Sequence, residues 1–285
     1  MNTAVKLVEC PRDAMQGMKE FVPTAEKIAY INSILKCNFN TVDFGSFVSP
    51  KAIPQMADTA EVLAGLDLSG PSKLLAIIAN VRGAEDACRF NEIKYLGFPF
   101  SISETFQQRN TNSSIAESLD RVKEIQNLCL KTNKELVVYI SMAFGNPYGD
   151  TWNAEIAMEW CEKLYRELGV KILALSDTIG VSDPQNIDYL FRSLIPALPE
   201  VEFGAHLHTT PDTWEEKVAA AYQAGCRRFD GAIKGFGGCP MAKDDLTGNM
   251  PTEKMIGYFN VHHISTGINN DHFNQTLIDS SRIFH

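Results

Sequence analysis

The sequence predicts an α/β fold, and three observations favour a closed (β/α)8 barrel, or TIM barrel. Short apolar runs rich in β-branched residues alternate with longer amphipathic stretches, which is the order of repeated βα units around a parallel sheet. Eight such runs occur. The chain has 285 residues, a length at which (β/α)8 barrels form one domain. We therefore expect residues 1–285 to form a single TIM-barrel domain.

Eight short runs predict the strands, because each is rich in apolar residues and is bounded by polar or turn-forming residues. In chain order we expect them at 5–9, 41–44, 73–79, 94–101, 135–141, 171–176, 202–206 and 227–232. The run 94–101 is the weakest of these signals. No linker-like segment divides the series, so one sheet is expected to include all eight strands.

Amphipathic stretches between the strands predict helices at 24–37, 55–64, 114–131, 154–168, 185–198 and 213–224. The helix at 114–131 is the clearest, because its apolar residues recur three or four positions apart. These residues are Ile115, Leu119, Val122, Ile125 and Leu128. Thr24 is predicted to be the N-cap of the first helix. The residues after Lys254 fit no strand and are expected to form C-terminal helices that flank the barrel.

The composition argues against several classes of protein. Apolar residues make up 45% of the chain and charged residues 21%, which is a globular balance and not that of a disordered chain. The net charge of -9 and the lack of a basic stripe argue against a nucleic-acid partner. A phosphorylated small molecule remains compatible with this charge, because local cations can bind it.

Seven cysteines are scattered without paired spacing, which indicates reduced thiols in a cytoplasmic protein and not a disulfide framework. The N-terminus runs directly into the first predicted strand, with no pattern of an export signal or a transit segment. No apolar run reaches the roughly 20 residues that span a bilayer. We therefore expect a cytoplasmic protein that does not enter a membrane.

A pair of histidines at the end of the seventh strand indicates a metal site. His206 and His208 lie two residues apart, so a strand directs both imidazoles to the same side. Asp13 follows the first strand and Asn249 follows the eighth, and the carboxyl ends of all barrel strands meet at one face. One carboxylate, two imidazoles and an amide oxygen suit Mg²⁺ or Mn²⁺, or alternatively Zn²⁺ or Co²⁺. Ordinary half-buried histidines are the alternative interpretation.

Other polar residues follow strands in the same way. Arg12 follows the first strand, Asp43 lies in the second, and Asp177 follows the sixth. Each residue has a structural alternative: the two aspartates could be helix N-caps, for example. The segment 235–240 contains three glycines and Cys239, which favours either a loop that closes over a site or a flexible turn with an incidental thiol.

Several segments together resemble the 3-hydroxy-3-methylglutaryl-CoA lyase family of metal-dependent (β/α)8 lyases. The resemblance extends over nearly the whole chain. It rests on Pro-Arg-Asp-Ala-Met-Gln at 11–16, Ser-Phe-Val-Ser-Pro-Lys at 46–51 with Pro-Gln-Met at 54–56, Asp-Thr-Ile-Gly-Val at 177–181, His-Leu-His at 206–208, and Gly-Gly-Cys-Pro at 237–240 with Gly-Asn at 248–249. The second and last of these are more specific than the histidine pair, which a wider superfamily of lyases and synthases shares.

The resemblance implies a retro-Claisen cleavage of 3-hydroxy-3-methylglutaryl-CoA to acetyl-CoA and acetoacetate. It implies that Arg12 faces the substrate carbonyl and that Cys239 is on a lid loop and returns a proton. The metal ligands it implies are Asp13, His206, His208 and Asn249. The base is His206 or Asp13. Asp43 and Asp177 complete the expected catalytic set.

The predicted partner is a small acyl-CoA molecule. Contacts with its phosphates or pantetheine are expected from Lys19, Lys51, Arg109 and Asn110, for each of which a solvated surface residue is the alternative. A homo-oligomer, either dimer or tetramer, is expected. Asp43 stands where the family usually has glutamate, and Ala14-Met15 where it usually has Gly-Leu, so a related branched 3-hydroxyacyl-CoA is an alternative substrate.

Two other functions are compatible with these residues. One is the reverse chemistry, in an acetyl-CoA-dependent Claisen synthase or a 2-oxo acid aldolase of the same superfamily. The other is a non-catalytic barrel that binds an acyl-CoA. Such an inert barrel would be expected to have lost at least one of the candidate site residues, and the chain retains them all. Metal-dependent turnover would distinguish the inert barrel from either enzyme.

Overall fold

Eight parallel strands close into a barrel in the computed structural model of the chain, which describes residues 4–238 and 247–284. Each strand pairs with the next, and the eighth pairs with the first. The strands are β1 (Lys6–Glu9), β2 (Thr41–Ser46), β3 (Lys73–Ile77), β4 (Ile93–Ser101), β5 (Glu135–Ser141), β6 (Ile172–Asp177), β7 (Glu202–Thr209) and β8 (Arg228–Gly231). The predicted closed (β/α)8 barrel is therefore confirmed. A short strand, β9 (Gly248–Asn249), pairs antiparallel with the end of β7.

Helices surround the barrel and end it. They are α1 (Pro11–Gln16), α2 (Thr24–Leu35), α3 (Thr59–Ala64), α4 (Val81–Cys88), α5 (Glu104–Thr111), α6 (Ile115–Lys131), α7 (Ala154–Leu168), α8 (Pro184–Ala197), α9 (Trp214–Gln223), α10 (Thr252–Val261) and α11 (Asn270–Asp279). Ser114 and Asp183 begin α6 and α8 with reciprocal capping boxes, which explains why these starts are well defined. The last two helices are the predicted C-terminal pair. No helix within 4–238 and 247–284 is long and apolar enough to cross a membrane.

The predicted N-cap at Thr24 is wrong. Pro23 occupies the cap position of α2, and the Thr24 hydroxyl instead donates to the Asp58 carboxylate at 2.8 Å. The predicted helix 55–64 is also divided, into a 3-10 turn at Pro54–Met56 and α3. Three short helices, α1, α4 and α5, are absent from the sequence prediction, because six to eight residues are too few to show a helical period.

The barrel interior contains an apolar cluster beside buried polar side chains. Its buried cluster consists of Leu75, Ile77, Val137, Tyr139, Ile172 and Ala174. Two glycines make room for the larger interior side chains: a Cβ on Gly97 would lie 3.0 Å from the Tyr139 ring, and one on Gly204 would lie 3.1 Å from Arg228 Cδ. Arg228 is thus accommodated inside the barrel, fully buried. The carboxyl ends of the strands lie above this interior and form the candidate site.

Candidate functional site

A cavity of about 370 Å³ opens at the carboxyl ends of the strands. Its polar lining comes from α1, α5, β5, β6, β7 and the turn after β6, and its apolar lining comes mainly from the segments after β2 and from β3 to α5. The lining residues are Arg12, Asp13, Gln16, Val48, Ala52, Ile53, Ile77, Ala79, Pro99, Phe106, Asn110, Thr111, Tyr139, Ser141, Ser176, Thr178, His206, His208 and Gly238. The cavity therefore combines a charged region with an apolar wall.

Three of the predicted metal ligands come together in this cavity. One potential donor atom from each of Asp13, His206 and His208 lies within 4.8 Å of the other two. The alternation of β7 places both imidazoles on the inner face of the barrel. Asp13 follows β1, because α1 begins at Pro11 directly after this strand. Its carboxylate therefore lies in the first turn of α1, at the carboxyl end of the barrel. The structure thus brings these three residues together, and their role as metal ligands stays a prediction.

The hydrogen bonds of the two histidines orient their rings. His208 Nδ1 lies 2.9 Å from the carbonyl oxygen of Thr178, which can only accept, so Nδ1 carries the proton. His208 Nε2 is buried and has no hydrogen-bond partner in the described part of the chain. Burial and the neighbouring His206 lower the pKa of His208 to about 4, so its imidazole is neutral at neutral pH. A buried, neutral nitrogen with a free lone pair is what a metal ligand provides.

The Asp13 carboxylate is held on three sides. Arg12 Nη1 donates to Oδ1 at 2.8 Å, Gln16 Nε2 donates to the same oxygen at 2.7 Å, and Asn249 Nδ2 donates to Oδ2 at 2.7 Å. Although burial opposes ionisation, Arg12 and the two histidines hold the pKa of Asp13 at about 2. Asp13 is therefore an anion at neutral pH. Together with two imidazole nitrogens, it gives a donor set that fits a divalent cation.

Asn249 lies beside Asp13, and its amide nitrogen donates two hydrogen bonds. Nδ2 donates to Asp13 and to the Phe236 carbonyl oxygen at 2.9 Å, so the side-chain oxygen is the atom that could bind a cation. Gly237 permits this close approach, because a Cβ there would lie 2.6 Å from the Asp13 carbonyl oxygen and its φ is +83°. The role of Asn249 as a fourth ligand stays a prediction.

Arg12 lies at the charged side of the cavity with its guanidinium fixed by carboxylates. Nε and Nη2 donate to Asp43 Oδ2 at 3.0 and 2.5 Å, while Nη1 donates to Asp13. Burial opposes the charge of Arg12, but the two carboxylates raise its pKa above its ordinary value, so it remains a cation. Burial raises the pKa of Asp43 to about 6, and Arg12 opposes that rise. Asp43 thus acts on Arg12 and not as a helix N-cap.

The structure places Asp177 outside the cavity lining. Its buried carboxylate accepts from the backbone N–H of Val181 at 2.8 Å, from that of Ser182 at 2.9 Å, and from Lys217 Nζ at 3.0 Å. These bonds close the turn after β6, and the residue that reaches the cavity is the next one, Thr178. These bonds support the turn after β6, and the expected catalytic role of Asp177 stays a prediction.

The predicted CoA contacts differ in their positions. Asn110 lines the cavity, and Arg109, the residue before it, is exposed and lies over the Tyr148 ring at 4.7 Å. Lys51 is exposed and adjoins the lining residue Ala52, whereas Lys19 is exposed and does not line the cavity. Cys239 lies outside the described residues.

Sequence reasoning missed two interior residues next to the histidines. Asp230 Oδ2 lies 3.2 Å from His206 Nδ1, and the Tyr139 ring packs edge-on against the His206 ring at 5.3 Å. Burial alone would lower the pKa of His206, but the hydrogen bond and charge of Asp230 raise it. A charged residue inside a predicted barrel strand was the available signal for Asp230, since such residues are rarely buried without a partner.

Comparisons with known proteins agree with this geometry. The family model described as HMGL-like matches residues 4–278. The hydroxymethylglutaryl-CoA lyase YngG of Bacillus subtilis is 32% identical over 90% of this chain and 85% of its own length. A 3-hydroxy-3-isohexenylglutaryl-CoA/hydroxymethylglutaryl-CoA lyase of Pseudomonas aeruginosa is 33% identical over 93% of this chain and 87% of its own.

Solved structures show the same likeness. The HMG-CoA lyase from Brucella melitensis superposes with a TM-score of 0.91 at 29% identity, and 98% of each chain is covered. An HMG-CoA lyase from Acinetobacter baumannii, solved in complex with coenzyme A and 3-methylmalate, has a TM-score of 0.89 at 30% identity, over 97% of this chain and 90% of that one. On the extent of the family match and of these relatives, the chain belongs to the HMGL-like family.

Proposed function

We propose that this protein is a divalent-metal-dependent carbon–carbon lyase that cleaves 3-hydroxy-3-methylglutaryl-CoA to acetyl-CoA and acetoacetate. The observation that carries this proposal is the meeting of Asp13, His206 and His208 with the Arg12 guanidinium in one cavity. The names of the relatives supply the substrate. A retro-Claisen cleavage must remove a proton from a tertiary hydroxyl and stabilise a thioester enolate, and the cavity offers groups for both tasks.

The metal site we propose consists of Asp13, His206 and His208, with the Asn249 side-chain oxygen as a fourth ligand. Mg²⁺ or Mn²⁺ suits the carboxylate and amide oxygens, and Zn²⁺ or Co²⁺ could substitute at the imidazoles. When bound, such a cation lowers the pKa of a coordinated hydroxyl and orients it. The chain's own contribution is to keep Asp13 ionised and the His208 imidazole neutral, as its burial and neighbours require.

Arg12 is proposed to stabilise the enolate oxygen of the thioester. A guanidinium that is already fixed does not have to reorganise when negative charge develops, and this is the condition for strong electrostatic stabilisation. The bonds to Asp43 and Asp13 supply that fixation. The shorter carboxylate of Asp43, where the family usually has glutamate, still reaches Arg12 with both oxygens.

Two proton transfers complete the proposed reaction. The base is Asp13 or His206, both of which line the cavity. The Cys239 thiol is proposed to return a proton to the enolate carbon, by resemblance to the family and by its place in the sequence one residue after Gly238, which lines the cavity. For the acyl-CoA, we propose contacts with Asn110, which lines the cavity, and with Arg109, which precedes it in the sequence. We propose a further contact with Lys51, which precedes the lining residue Ala52.

Assembly and location form a separate part of the proposal. We propose a homo-oligomer, either dimer or tetramer, of a single-domain chain. The six cysteines of the described residues are all free, which favours the cytoplasm. Light scattering coupled to size-exclusion chromatography measures the first statement, and fractionation of the source cells measures the second.

The test of function uses the purified, chelator-stripped protein. Release of acetyl-CoA and acetoacetate from 3-hydroxy-3-methylglutaryl-CoA is followed with and without Mg²⁺ or Mn²⁺. Metal-dependent release at an ordinary kcat is expected. Metal binding without release would overturn the proposed substrate. Assays of longer branched 3-hydroxyacyl-CoA molecules and of acetyl-CoA with a 2-oxo acid would then identify a related lyase or a synthase.

A further inference from the structure

A layer of polar side chains lies inside the barrel beneath the cavity. Asp230 and Arg228 enter it from β8, Tyr139 enters it from β5, and Cys10 enters it from the end of β1. All four residues are buried. Among the described residues, three of these side chains have atoms without hydrogen-bond partners: Asp230 Oδ1, the Tyr139 hydroxyl, and Nε and Nη2 of Arg228. Burying polar groups without partners costs free energy, so a layer of this kind calls for a functional explanation. The explanation lies in its contact with the candidate metal site.

That contact is made through His206. Asp230 Oδ2 lies 3.2 Å from His206 Nδ1, and an ionised carboxylate can only accept, so this bond places the ring proton on Nδ1. In the neutral imidazole, the other nitrogen, Nε2, then keeps its lone pair. On another side, the Tyr139 ring packs edge-on against the imidazole and restricts its rotation.

The two histidines therefore reach the same state by different means. His208 Nδ1 donates to a backbone carbonyl, that of Thr178, whereas His206 Nδ1 is held by a side chain. A backbone acceptor cannot be removed by substitution. The side-chain acceptor can, so the orientation of His206 is the one that can be tested.

Arg228 supplies the charge that this arrangement needs. Burial lowers the pKa of the Arg228 guanidinium. The negative charge of Asp230 is the largest of the causes that raise it, and the pKa of Arg228 lies above its ordinary value. A second carboxylate, that of Glu202, lies 3.4 Å from Nη1. Within the described residues Arg228 forms its ion pair with Glu202 and none with Asp230, so its charge acts on the buried Asp230 carboxylate from a longer distance inside the barrel.

We propose that Asp230 is a positioning residue for the metal site: it fixes the proton on His206 Nδ1 and aims Nε2 at the space shared with Asp13 and His208, while Arg228 balances its charge. The inference rests on the proposed function only in taking His206 as a metal ligand. It makes no claim about the substrate, and metal binding can be measured without turnover.

The first experiment measures metal affinity in the chelator-stripped full chain by titration with Co²⁺, followed by absorbance and calorimetry. Asp230→Asn is expected to weaken Co²⁺ binding by about 10- to 100-fold, the scale of losing a carboxylate that supports a ligating histidine. Wild-type affinity in folded Asp230→Asn would overturn the proposal.

A matched control separates this effect from general loss of a buried carboxylate. Asp58 is half-buried, accepts from the buried Lys27 Nζ at 2.7 Å and does not line the cavity. Asp58→Asn is expected to lower the melting temperature and to leave the Co²⁺ affinity unchanged. An equal loss of affinity in both variants would show a global effect and overturn the specific role of Asp230.

A double-mutant cycle tests the route through His206. In His206→Ala, Asp230 has no ring to position, so adding Asp230→Asn is expected to weaken Co²⁺ binding no further. Additive losses would contradict action through His206.

A tautomer measurement covers the case in which Asp230→Asn does not fold. Histidine ¹⁵N spectra of the metal-free wild type, assigned with His206→Ala, are expected to show a proton on Nδ1 of His206, and a proton on Nε2 alone would refute the proposal. If 3-hydroxy-3-methylglutaryl-CoA is not cleaved but these results hold, the proposed function fails and this inference stands.

Discussion

Two buried aspartates at strand ends, Asp13 and Asp177, look alike in the sequence and differ in what surrounds them. Asp177 accepts from two backbone N–H groups, from the Ser182 hydroxyl and from Lys217, so the protein itself occupies its carboxylate. Asp13 is also hydrogen-bonded, but its neighbour His208 has a buried nitrogen with no partner in the described part of the chain. A neighbouring buried nitrogen without a partner, and not burial or charge alone, therefore distinguishes Asp13 as the candidate site carboxylate.

The largest effect is expected on the Asp13 side, from Arg12→Gln. Removing the guanidinium removes charge stabilisation of the enolate while leaving the Asp13, His206 and His208 donors in place. We expect kcat to fall by about 10³-fold or more, with Co²⁺ affinity close to that of the wild type. Steady-state kinetics with saturating metal and a Co²⁺ titration provide the two measurements. Wild-type kcat would remove Arg12 from the mechanism.

Asp177→Asn tests the other side of the comparison. It leaves Lys217 buried without its carboxylate partner, so we expect the free energy of unfolding to fall by about 3–5 kcal/mol. Because Asp177 does not line the cavity, KM should be unchanged at a temperature where the variant is folded. Urea unfolding and substrate-saturation curves check both parts. A stable variant with a raised KM would assign Asp177 to the site after all.

The same comparison shows what the sequence could predict. The His-x-His pair and the order of strands identified the barrel and three donors, because strand alternation and the shared carboxyl-end face follow from the fold class alone. The role of Asp177 could not be separated from that of Asp13, since its partner Lys217 is 40 residues away in the sequence.

Asp230 shows a second limit of the same kind. It lies inside a predicted strand, where alternation indicates which side it faces but not the height at which it meets a residue of the next strand. Its contact with His206 depends on the register of β8 against β7, in which Gly204 pairs with Arg228. Short helices such as α1 were missed for a different reason, because they are too short to show a period.

His208→Ala is expected to have the next largest effect. It removes the buried nitrogen that distinguishes the two aspartates, so we expect Co²⁺ and Mn²⁺ affinity to fall by about tenfold or more. The fold should persist, because the side chain's one hydrogen bond within the described residues is that of Nδ1 to the Thr178 carbonyl oxygen. Calorimetric titration and circular dichroism measure these outcomes. Unchanged affinity would mean that His208 is not a ligand and that its Nε2 atom does not distinguish the surroundings of Asp13 from those of Asp177.

A third buried carboxyl, Glu9, extends the comparison to a group that is neutral. Glu9 accepts from the Ile233 backbone N–H at 2.8 Å and from the Thr252 hydroxyl at 2.6 Å, and no cationic side chain in the segments 4–238 and 247–284 donates a hydrogen bond to it. Burial raises its pKa from 4.5 to about 8, although these two hydrogen bonds oppose the rise. The folded state therefore holds a proton that the unfolded chain has lost above pH 4.5.

The last prediction concerns this proton and the pH dependence that it causes. Glu9 contributes stability that is complete below pH 4.5 and is lost as pH rises toward 8, by about 1.4 kcal/mol per pH unit. Glu9→Gln keeps a neutral, hydrogen-bonding side chain and cannot ionise, so the variant should become more stable relative to the wild type as pH rises through this range. Unfolding by urea at several pH values measures the difference. A difference independent of pH would show that Glu9 is already ionised in the folded protein, with Asp13 and Asp177 as its closer analogues.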